Sequence, residues 1–274
     1  MDVGEVRLHC AFAGPEDGKL VILLHGFTEF WWSWRFQIPA LAAAGFRVVA
    51  PDMRGYNLSD KPFGVEAYRI EKLIGDVAGL IRALGCESAH IVGHDWGGGV
   101  AWEFAMRRPE MTDRLIVMNC PHPREMVKGL RRFSQLRKSW YMFFFQLPSL
   151  PERLLAKNDF AMLRKTFRGA PAEDVERYVE AAKRARNLNG PINYYRAAMR
   201  GVGGGRVPAY RPVPAPTLVI WGAADPHLGS EMARPDERWV PNVRVEFIKD
   251  ATHWVQTDAP DEVNALMIAH LQPA

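Results

Sequence analysis

The chain has 274 residues, of which 48% are hydrophobic and 24% charged, a balance typical of a globular protein with one sizeable core. No apolar run approaches the roughly 20 residues that a membrane-spanning helix needs, and residues 1–14 hold no apolar stretch typical of a secretory signal. The three cysteines match neither a metal-ligand spacing nor a disulfide framework. We therefore expect a soluble, cytoplasmic protein without an integral membrane segment.

The formal net charge of +4 is distributed unevenly along the chain. Residues 122–211 hold 19 Lys and Arg against 7 Asp and Glu. Such a basic segment could attract anionic substrates or a membrane surface. Because no aromatic interleaving and no nucleic-acid-binding motif accompany this charge, nucleic acid is not an expected partner, and solvated helix faces are the simplest interpretation.

Short apolar, β-branched segments alternate with helical patterns, which is typical of a parallel sheet with crossover helices. In chain order, strands are predicted at 20–24, 46–50, 90–92, 115–118, 217–221 and 243–248, with an antiparallel edge strand within 3–12. Helices are predicted at 33–44, 70–84, 97–108 and 261–271. Because most of these strand segments are continuous apolar runs, we expect helices to cover both faces of the sheet.

The middle of the chain interrupts this alternation. Residues 122–210 contain no convincing strand pattern, only helical periodicity broken by prolines, and they end in a Gly- and Pro-rich stretch that includes Gly203, Gly204, Gly205 and Pro208. We interpret this segment as an all-helical lid inserted into an α/β core formed by residues 1–121 and 211–274.

The strongest local signal is the sequence Gly-His-Asp-Trp-Gly around Asp95, which follows a predicted strand and precedes a predicted helix. This arrangement is typical of a nucleophile elbow, in which glycines on either side allow strand and helix to approach closely. The alternative is a turn-forming aspartate beside incidental glycines. The elbow is favoured because Asp225 and His253 follow Asp95 in the chain order that such a site uses.

An aspartate at the elbow predicts a different reaction from a serine. A carboxylate is ionised at neutral pH and can attack a saturated carbon without a base. The resulting ester has its carbonyl on the enzyme, so water can hydrolyse it. A serine ether would be inert. Asp95 therefore predicts displacement at an alkyl carbon, either epoxide opening or dehalogenation.

Hydrolysis of such an ester needs a general base, a residue that orients the base and an oxyanion hole. Asp225 and His253 each follow a predicted strand, in the order nucleophile, acid, histidine that this fold uses. The backbone N–H groups of Phe27 and Trp96 are the candidate oxyanion hole. Loop residues without catalytic roles are the alternative interpretation.

With these pieces in place, the sequence resembles the epoxide hydrolase branch of the α/β-hydrolase fold family, in particular soluble epoxide hydrolases. The matching segments are 25–29, 51–56, 93–98, 119–123 and 252–254, which together extend over the core from about residue 20 to the C-terminus. The resemblance implies a mostly parallel sheet flanked by helices and water addition to an epoxide to give a vicinal diol. One departure is Thr28, where the family usually has proline.

The resemblance also extends to the lid. Segments 141–148 and 190–196 resemble the two lid motifs whose tyrosines donate to the epoxide oxygen, which assigns this role to Tyr141 and Tyr195. A phenol stays protonated at neutral pH and can donate as alkoxide charge develops. Packing of the lid is the alternative role for both. Phe143, Phe144, Phe145, Leu147 and Leu150 suggest an apolar pocket and hence a small apolar aryl or alkyl epoxide.

Two other functions use the same features. Dehalogenases share the Asp elbow, but the haloalkane type usually has Asn in place of Phe27, and the fluoroacetate type usually has arginines just after the nucleophile, where this chain has Trp96 and three glycines. A non-catalytic small-molecule receptor is the alternative of another class. No metal or organic cofactor is expected in any of these cases, and we expect a monomer or a homodimer.

Overall fold

The computed structural model describes residues 1–167, 169–186, 188–203 and 210–272. Within them one sheet has the strand order β1-β3-β2-β4-β5-β6-β7. The strands are β1 (Cys10–Ala13), β2 (Leu20–Leu24), β3 (Arg47–Pro51), β4 (Ala89–His94), β5 (Thr112–Met118), β6 (Thr217–Gly222) and β7 (Val243–Ile248). Only β1 runs antiparallel, paired with β3, and all other neighbours are parallel.

The α-helices of the core cover both faces of this sheet. They are α1 (Gln37–Ala43), α2 (Ile70–Ala83), α3 (Trp96–Arg107), α10 (Val255–Asp258) and α11 (Pro260–Leu271). Successive strand residues face opposite sides: Ile91 packs in one apolar cluster with α2 and α3, and Val92 in a second cluster with α1 and α11. The prediction of strands buried on both faces is confirmed for the inner strands of the sheet, whereas the edge strands β1 and β7 are only partly buried.

Most predicted core elements are confirmed to within a few residues. The exception is the helix predicted at 33–44, which is a 3-10 turn at Trp31–Trp34 followed by the shorter α1. The physical reason is Pro39, which has no N–H to donate and fits only in the first turn of an α-helix. The edge strand predicted within 3–12 is limited to β1, with one isolated bridge between Asp2 and Arg7.

Between β5 and β6 the described residues form helices and no strand. These helices are α4 (Pro123–Gly129), α5 (Phe133–Lys138), α6 (Trp140–Phe144), α7 (Leu150–Thr166), α8 (Ala172–Arg184) and α9 (Asn189–Gly203). They share an apolar cluster that includes Leu163, Val179 and Ile192 and that also contains Phe30 of the core. Gly204, Gly205 and Pro208, predicted to close the segment, lie outside the described residues.

No helix among the described residues is both long enough and apolar enough to cross a bilayer. The carboxyl ends of the parallel strands β2, β4, β5, β6 and β7 lie at one edge of the sheet. In open α/β sheets this edge is where ligands bind, and the helical insertion leaves the core from it, directly after β5.

Candidate active site

Asp95 occupies the sharp turn between β4 and α3. Its backbone has φ of 48° and ψ of −119°, a conformation that is costly for a residue with a side chain. A Cβ atom on Gly93 would collide with the backbone of Gly97, and one on Gly97 would collide with the carbonyl of Leu24. Both glycines are therefore required for the close approach of strand and helix, as the sequence argument proposed.

The turn brings Asp95 together with two residues from distant parts of the chain. Nε2 of His253 lies 3.4 Å from Oδ2 of Asp95, and Nδ1 of His253 lies 2.7 Å from Oδ2 of Asp225. Asp95 follows β4, Asp225 follows β6 and His253 follows β7, so that three parallel strands deliver them to one edge. The histidine ring thus lies between two carboxylates.

Asp225 is fixed by hydrogen bonds on both carboxylate oxygens. Besides His253, its Oδ2 accepts a hydrogen bond of 2.7 Å from Nδ2 of Asn119. Its Oδ1 accepts from the backbone N–H groups of His227 at 2.7 Å and Leu228 at 2.9 Å. A carboxylate held in this way can keep the imidazole in one orientation and one tautomer. Asn119 lies in segment 119–123, which resembles the family, but its contact with Asp225 joins the ends of β5 and β6 and is not visible in any local pattern.

The electrostatics of this group favour charge on all three residues. Burial raises the pKa of Asp95, but the hydrogen bond and charge of His253 outweigh it and lower this pKa to about 2. Burial likewise opposes the charged form of Asp225, yet His253 and Asn119 hold its pKa below the usual range. Burial lowers the pKa of His253, whereas the two carboxylates raise it to about 10. Asp95 is therefore an ionised carboxylate throughout the neutral range.

The first loop of the core brings one backbone donor to the Asp95 carboxylate, at the position predicted for the oxyanion hole. The backbone N–H of Phe27 donates to Oδ1 of Asp95 at 2.7 Å. A Cβ atom on Gly26 would lie 2.7 Å from Cβ of Asp95, so only glycine permits this approach. Trp96 begins α3, where backbone N–H groups have no carbonyl acceptor within the helix. The amide of Phe27 therefore lies beside the Asp95 carboxylate, and the amide of Trp96 follows Asp95 directly in the chain.

Thr28 has an unusual backbone conformation. Its φ is 64°, in the left-handed region that is unfavourable for a β-branched residue, and its side chain is buried. Proline, which the family usually has here, fixes φ near −65° and cannot adopt this conformation. The loop beside Phe27 thus contains a turn that proline at position 28 could not form.

A buried polar network behind the nucleophile was not identified from the sequence. Oε2 of Glu29 accepts the N–H of Gly26 at 2.7 Å and lies 2.8 Å from Nδ1 of His94. Nε2 of His94 lies 2.8 Å from the carbonyl oxygen of His253, and Gln256 donates to Oε1 of Glu29 at 3.2 Å. The network joins the oxyanion-hole loop, the elbow and the histidine loop. Glu29 and His94 lie in segments 25–29 and 93–98, which resemble the family, but nothing in the sequence indicates that the two side chains pair.

The two lid tyrosines converge on the same place. Tyr141 of α6 and Tyr195 of α9 have ring centroids 5.9 Å apart, and the Tyr195 ring lies 4.9 Å from that of Trp96 and 5.2 Å from that of Phe27. Burial and the nearby charge of Asp95 hold the pKa of each phenol well above its usual value. Both phenols therefore remain protonated and can donate.

Only some of the five apolar residues that suggested an apolar pocket lie at the site. Phe145 is buried and packs 5.2 Å from Phe27 and 4.9 Å from Tyr195, whereas Phe143, Leu147 and Leu150 are exposed. The reason is the helical period of α6, which turns Tyr141 and Phe145 to the inside and leaves Phe143 outside. The apolar surrounding of the site therefore depends on Phe145 and its neighbouring rings rather than on the exposed residues.

Another histidine, which the sequence argument did not single out, borders the site. The His227 ring lies edge-on to those of His253, at 5.3 Å, and Tyr141, at 6.0 Å. Burial and the charge of His253 lower the pKa of His227, so that it is a neutral polar side chain in an otherwise aromatic surrounding.

Comparison with known proteins places this geometry in a family. The profile of the alpha/beta hydrolase fold matches residues 19–260. An AB hydrolase superfamily protein of Bacillus subtilis is 44% identical, over 97% of this chain and 95% of its own length. Human epoxide hydrolase 4 is 38% identical, over 97% of this chain and 76% of its own length.

A solved structure agrees over the whole chain. The crystal structure of an epoxide hydrolase from Bacillus megaterium in complex with an inhibitor has a TM-score of 0.91 and 34% identity, with 99% of each chain covered. The chain therefore belongs to the α/β-hydrolase fold family, within its epoxide hydrolase branch.

Proposed function

We propose that this enzyme adds water to a small apolar epoxide through a covalent ester on Asp95. The observation that carries the proposal is an ionised carboxylate on a strained elbow, within 3.4 Å of a histidine and facing two buried, protonated phenols. A serine elbow would support acyl transfer, whereas a carboxylate suits attack on an oxirane carbon.

In the first half-reaction, Asp95 attacks an oxirane carbon and the C–O bond to that carbon breaks. The electron pair goes to the oxygen, which takes a proton from Tyr141 or Tyr195. The product is a hydroxyalkyl ester of Asp95 and one phenolate. Because the phenols lie in a dry, aromatic surrounding, a hydrogen bond to the developing alkoxide is worth more than it would be in water.

In the second half-reaction, His253 acts as the general base. Ester formation removes the charge of Asp95, one of the two carboxylates that raise the pKa of His253. The imidazolium is then more easily deprotonated, and its proton can return to the phenolate. Neutral His253 takes a proton from water, and the hydroxide attacks the carboxyl carbon of Asp95. The N–H groups of Phe27 and Trp96 stabilise the oxyanion. Its collapse breaks the bond between the carboxyl carbon and the ester oxygen, which takes the proton of the added hydroxyl group. The diol leaves, Asp95 is again a carboxylate, and His253 keeps the proton taken from water.

The helical segment 122–210 acts as a lid in this scheme, over a core formed by 1–121 and 211–274. It supplies both phenols and Phe145 and thereby covers the nucleophile with apolar side chains. We expect aryl and alkyl epoxides to fit this surrounding better than strongly polar ones.

A single turnover of enzyme in excess over an aryl epoxide, in ¹⁸O-labelled water, tests the proposal. Unlabelled diol from the first turnover, with ¹⁸O in the peptide that contains Asp95, would support the ester. Labelled diol with an unlabelled peptide would mean direct attack by water and would overturn the role of Asp95. Halide release from haloalkanes without diol formation from any epoxide would favour a dehalogenase instead, and ligand binding without turnover a receptor.

A further inference from the structure

One stretch of the helical insertion exposes an unusual number of large apolar side chains. Phe133 is 80% exposed, Trp140 57% and Phe143 48%. We call the following exposed residues the apolar stripe: Phe133, Leu136, Trp140, Phe143, Leu147, Leu150 and Leu154. Within each helix they stand three or four residues apart, the spacing that places side chains on one face: Phe133 and Leu136 on α5, Trp140 and Phe143 on α6, and Leu150 and Leu154 on α7. Single exposed apolar residues are ordinary, but a group of them marks an interaction surface.

The stripe lies on the outer side of the helix that borders the active site. Within α6, Tyr141 and Phe145 face inward, and the Tyr141 ring lies 5.9 Å from that of Tyr195. Trp140 and Phe143 face the solvent on the same five-residue helix. The packing that turns Tyr141 inward therefore does not explain why the exposed positions 140 and 143 hold aromatic residues.

The segment that carries the stripe is strongly basic, although two of its basic residues are paired, Lys128 with Glu125 and Arg132 with Glu231. Residues 126–158 hold seven basic residues: Lys128, Arg131, Arg132, Arg137, Lys138, Arg153 and Lys157. The single acidic residue in this range, Glu152, is largely buried and bonded to Arg196 at 2.6 Å. Arg131 and Arg137 make no ion pair within the part of the chain that the structure describes.

Three basic residues of α7 and α8 form ion pairs. Arg164 pairs with Glu176 and Asp159, Arg177 pairs with Glu173, and Lys183 pairs with Asp159. Residues 126–158 thus have a net charge of +6, half of the +12 that residues 122–211 carry, in about a third of that length.

We infer that the apolar stripe and its basic border dock this enzyme onto an anionic lipid bilayer. Aromatic and leucine side chains would enter the headgroup boundary while arginine and lysine contact the lipid phosphates, in the manner of an interfacial amphipathic segment. A second copy of the chain fits less well, because a two-fold contact through this surface would bring like charges together. The inference concerns binding only and does not depend on the proposed reaction.

Flotation of the full chain with lipid vesicles tests the inference. Vesicles of pure phosphatidylcholine are compared with vesicles containing phosphatidylglycerol, at low and high salt. The variants are Phe133→Ser with Trp140→Ser, and Arg131→Gln with Arg137→Gln. Their matched controls lie on exposed sites elsewhere: Phe12→Ser for the apolar pair, and Arg82→Gln with Lys249→Gln for the basic pair. Circular dichroism melting verifies that each variant is folded.

We expect binding to the anionic vesicles that weakens with salt and is retained by both controls. Loss of two arginines should reduce partitioning roughly 30-fold, at about fivefold for each basic residue. Loss of the two aromatic residues should reduce it by at least roughly tenfold. No binding, equal binding to both kinds of vesicle, or equal loss in the controls would overturn the inference. A dimer in light scattering that the Phe133 and Trp140 variant dissociates, without vesicle binding, would assign the surface to a second copy.

Discussion

The substitution Asp225→Asn separates the two proposed half-reactions. The native carboxylate accepts from four donors: Nδ1 of His253, Nδ2 of Asn119 and the N–H groups of His227 and Leu228. If the asparagine oxygen keeps the two backbone donors, its NH₂ group faces His253 and Asn119. His253 can then bond to it only through an unprotonated Nδ1, which leaves the proton on Nε2 and no base toward the ester.

We expect ester formation on Asp95 to change little, since the nucleophile needs no base, and ester hydrolysis to slow by roughly 10² to 10⁴, the usual range for general base catalysis. The ester should therefore accumulate. Rapid mixing with an aryl epoxide, acid quenching and mass spectrometry of the Asp95 peptide measure both rates. An equal fall in both rates, or normal hydrolysis, would refute this account of Asp225 and His253.

The substitution also has a cost in stability. One or two buried donors lose their acceptor, at about 1–3 kcal/mol. At this chain length about 1 kcal/mol corresponds to roughly 2–4 °C in Tm, so the assay must run well below the lowered transition. Asp258→Asn is a matched control, because exposed Asp258 caps the same loop through the N–H of Thr252 at 2.7 Å. It should lose stability without separating the two rates.

Three further predictions concern the site. Tyr141→Phe and Tyr195→Phe should each lower the rate of ester formation by roughly 10 to 10², and together by more, as measured by the same quench; no effect of either would contradict the donor assignment. At pH 5 the ester should accumulate compared with pH 8. In the ester His253 has lost the charge of Asp95, so its pKa falls from about 10 and low pH then stops hydrolysis by protonating it, whereas free Asp95, with its pKa of about 2, stays ionised for the first step; an ester fraction independent of pH would contradict this. Thr28→Gly should leave Tm unchanged or raise it by a few degrees, since glycine accepts a φ of 64° without strain, and a clear loss in calorimetry would mean that the threonine side chain stabilises the loop.

Several features of this protein follow from local sequence. Apolar segments alternating with helical periods predicted the sheet and its two helical layers, because burial on both faces demands continuous apolar strands. Gly93, Asp95 and Gly97 predicted the elbow, because only glycine permits the approach of strand and helix at that turn. The chain order of Asp225 and His253 predicted that they would lie near Asp95, since the ends of parallel strands meet at one edge.

Only the tertiary structure decided the rest. The support of Asp225 by Asn119, and of the oxyanion-hole loop by Glu29 and His94, joins residues up to 106 positions apart, for which no local pattern exists. The direction of α6 determined that Tyr141 and Phe145 face the site while Trp140 and Phe143 face the solvent. The helical period determines which residues share a face of α6. Only packing against α9 and the core determines which face is buried.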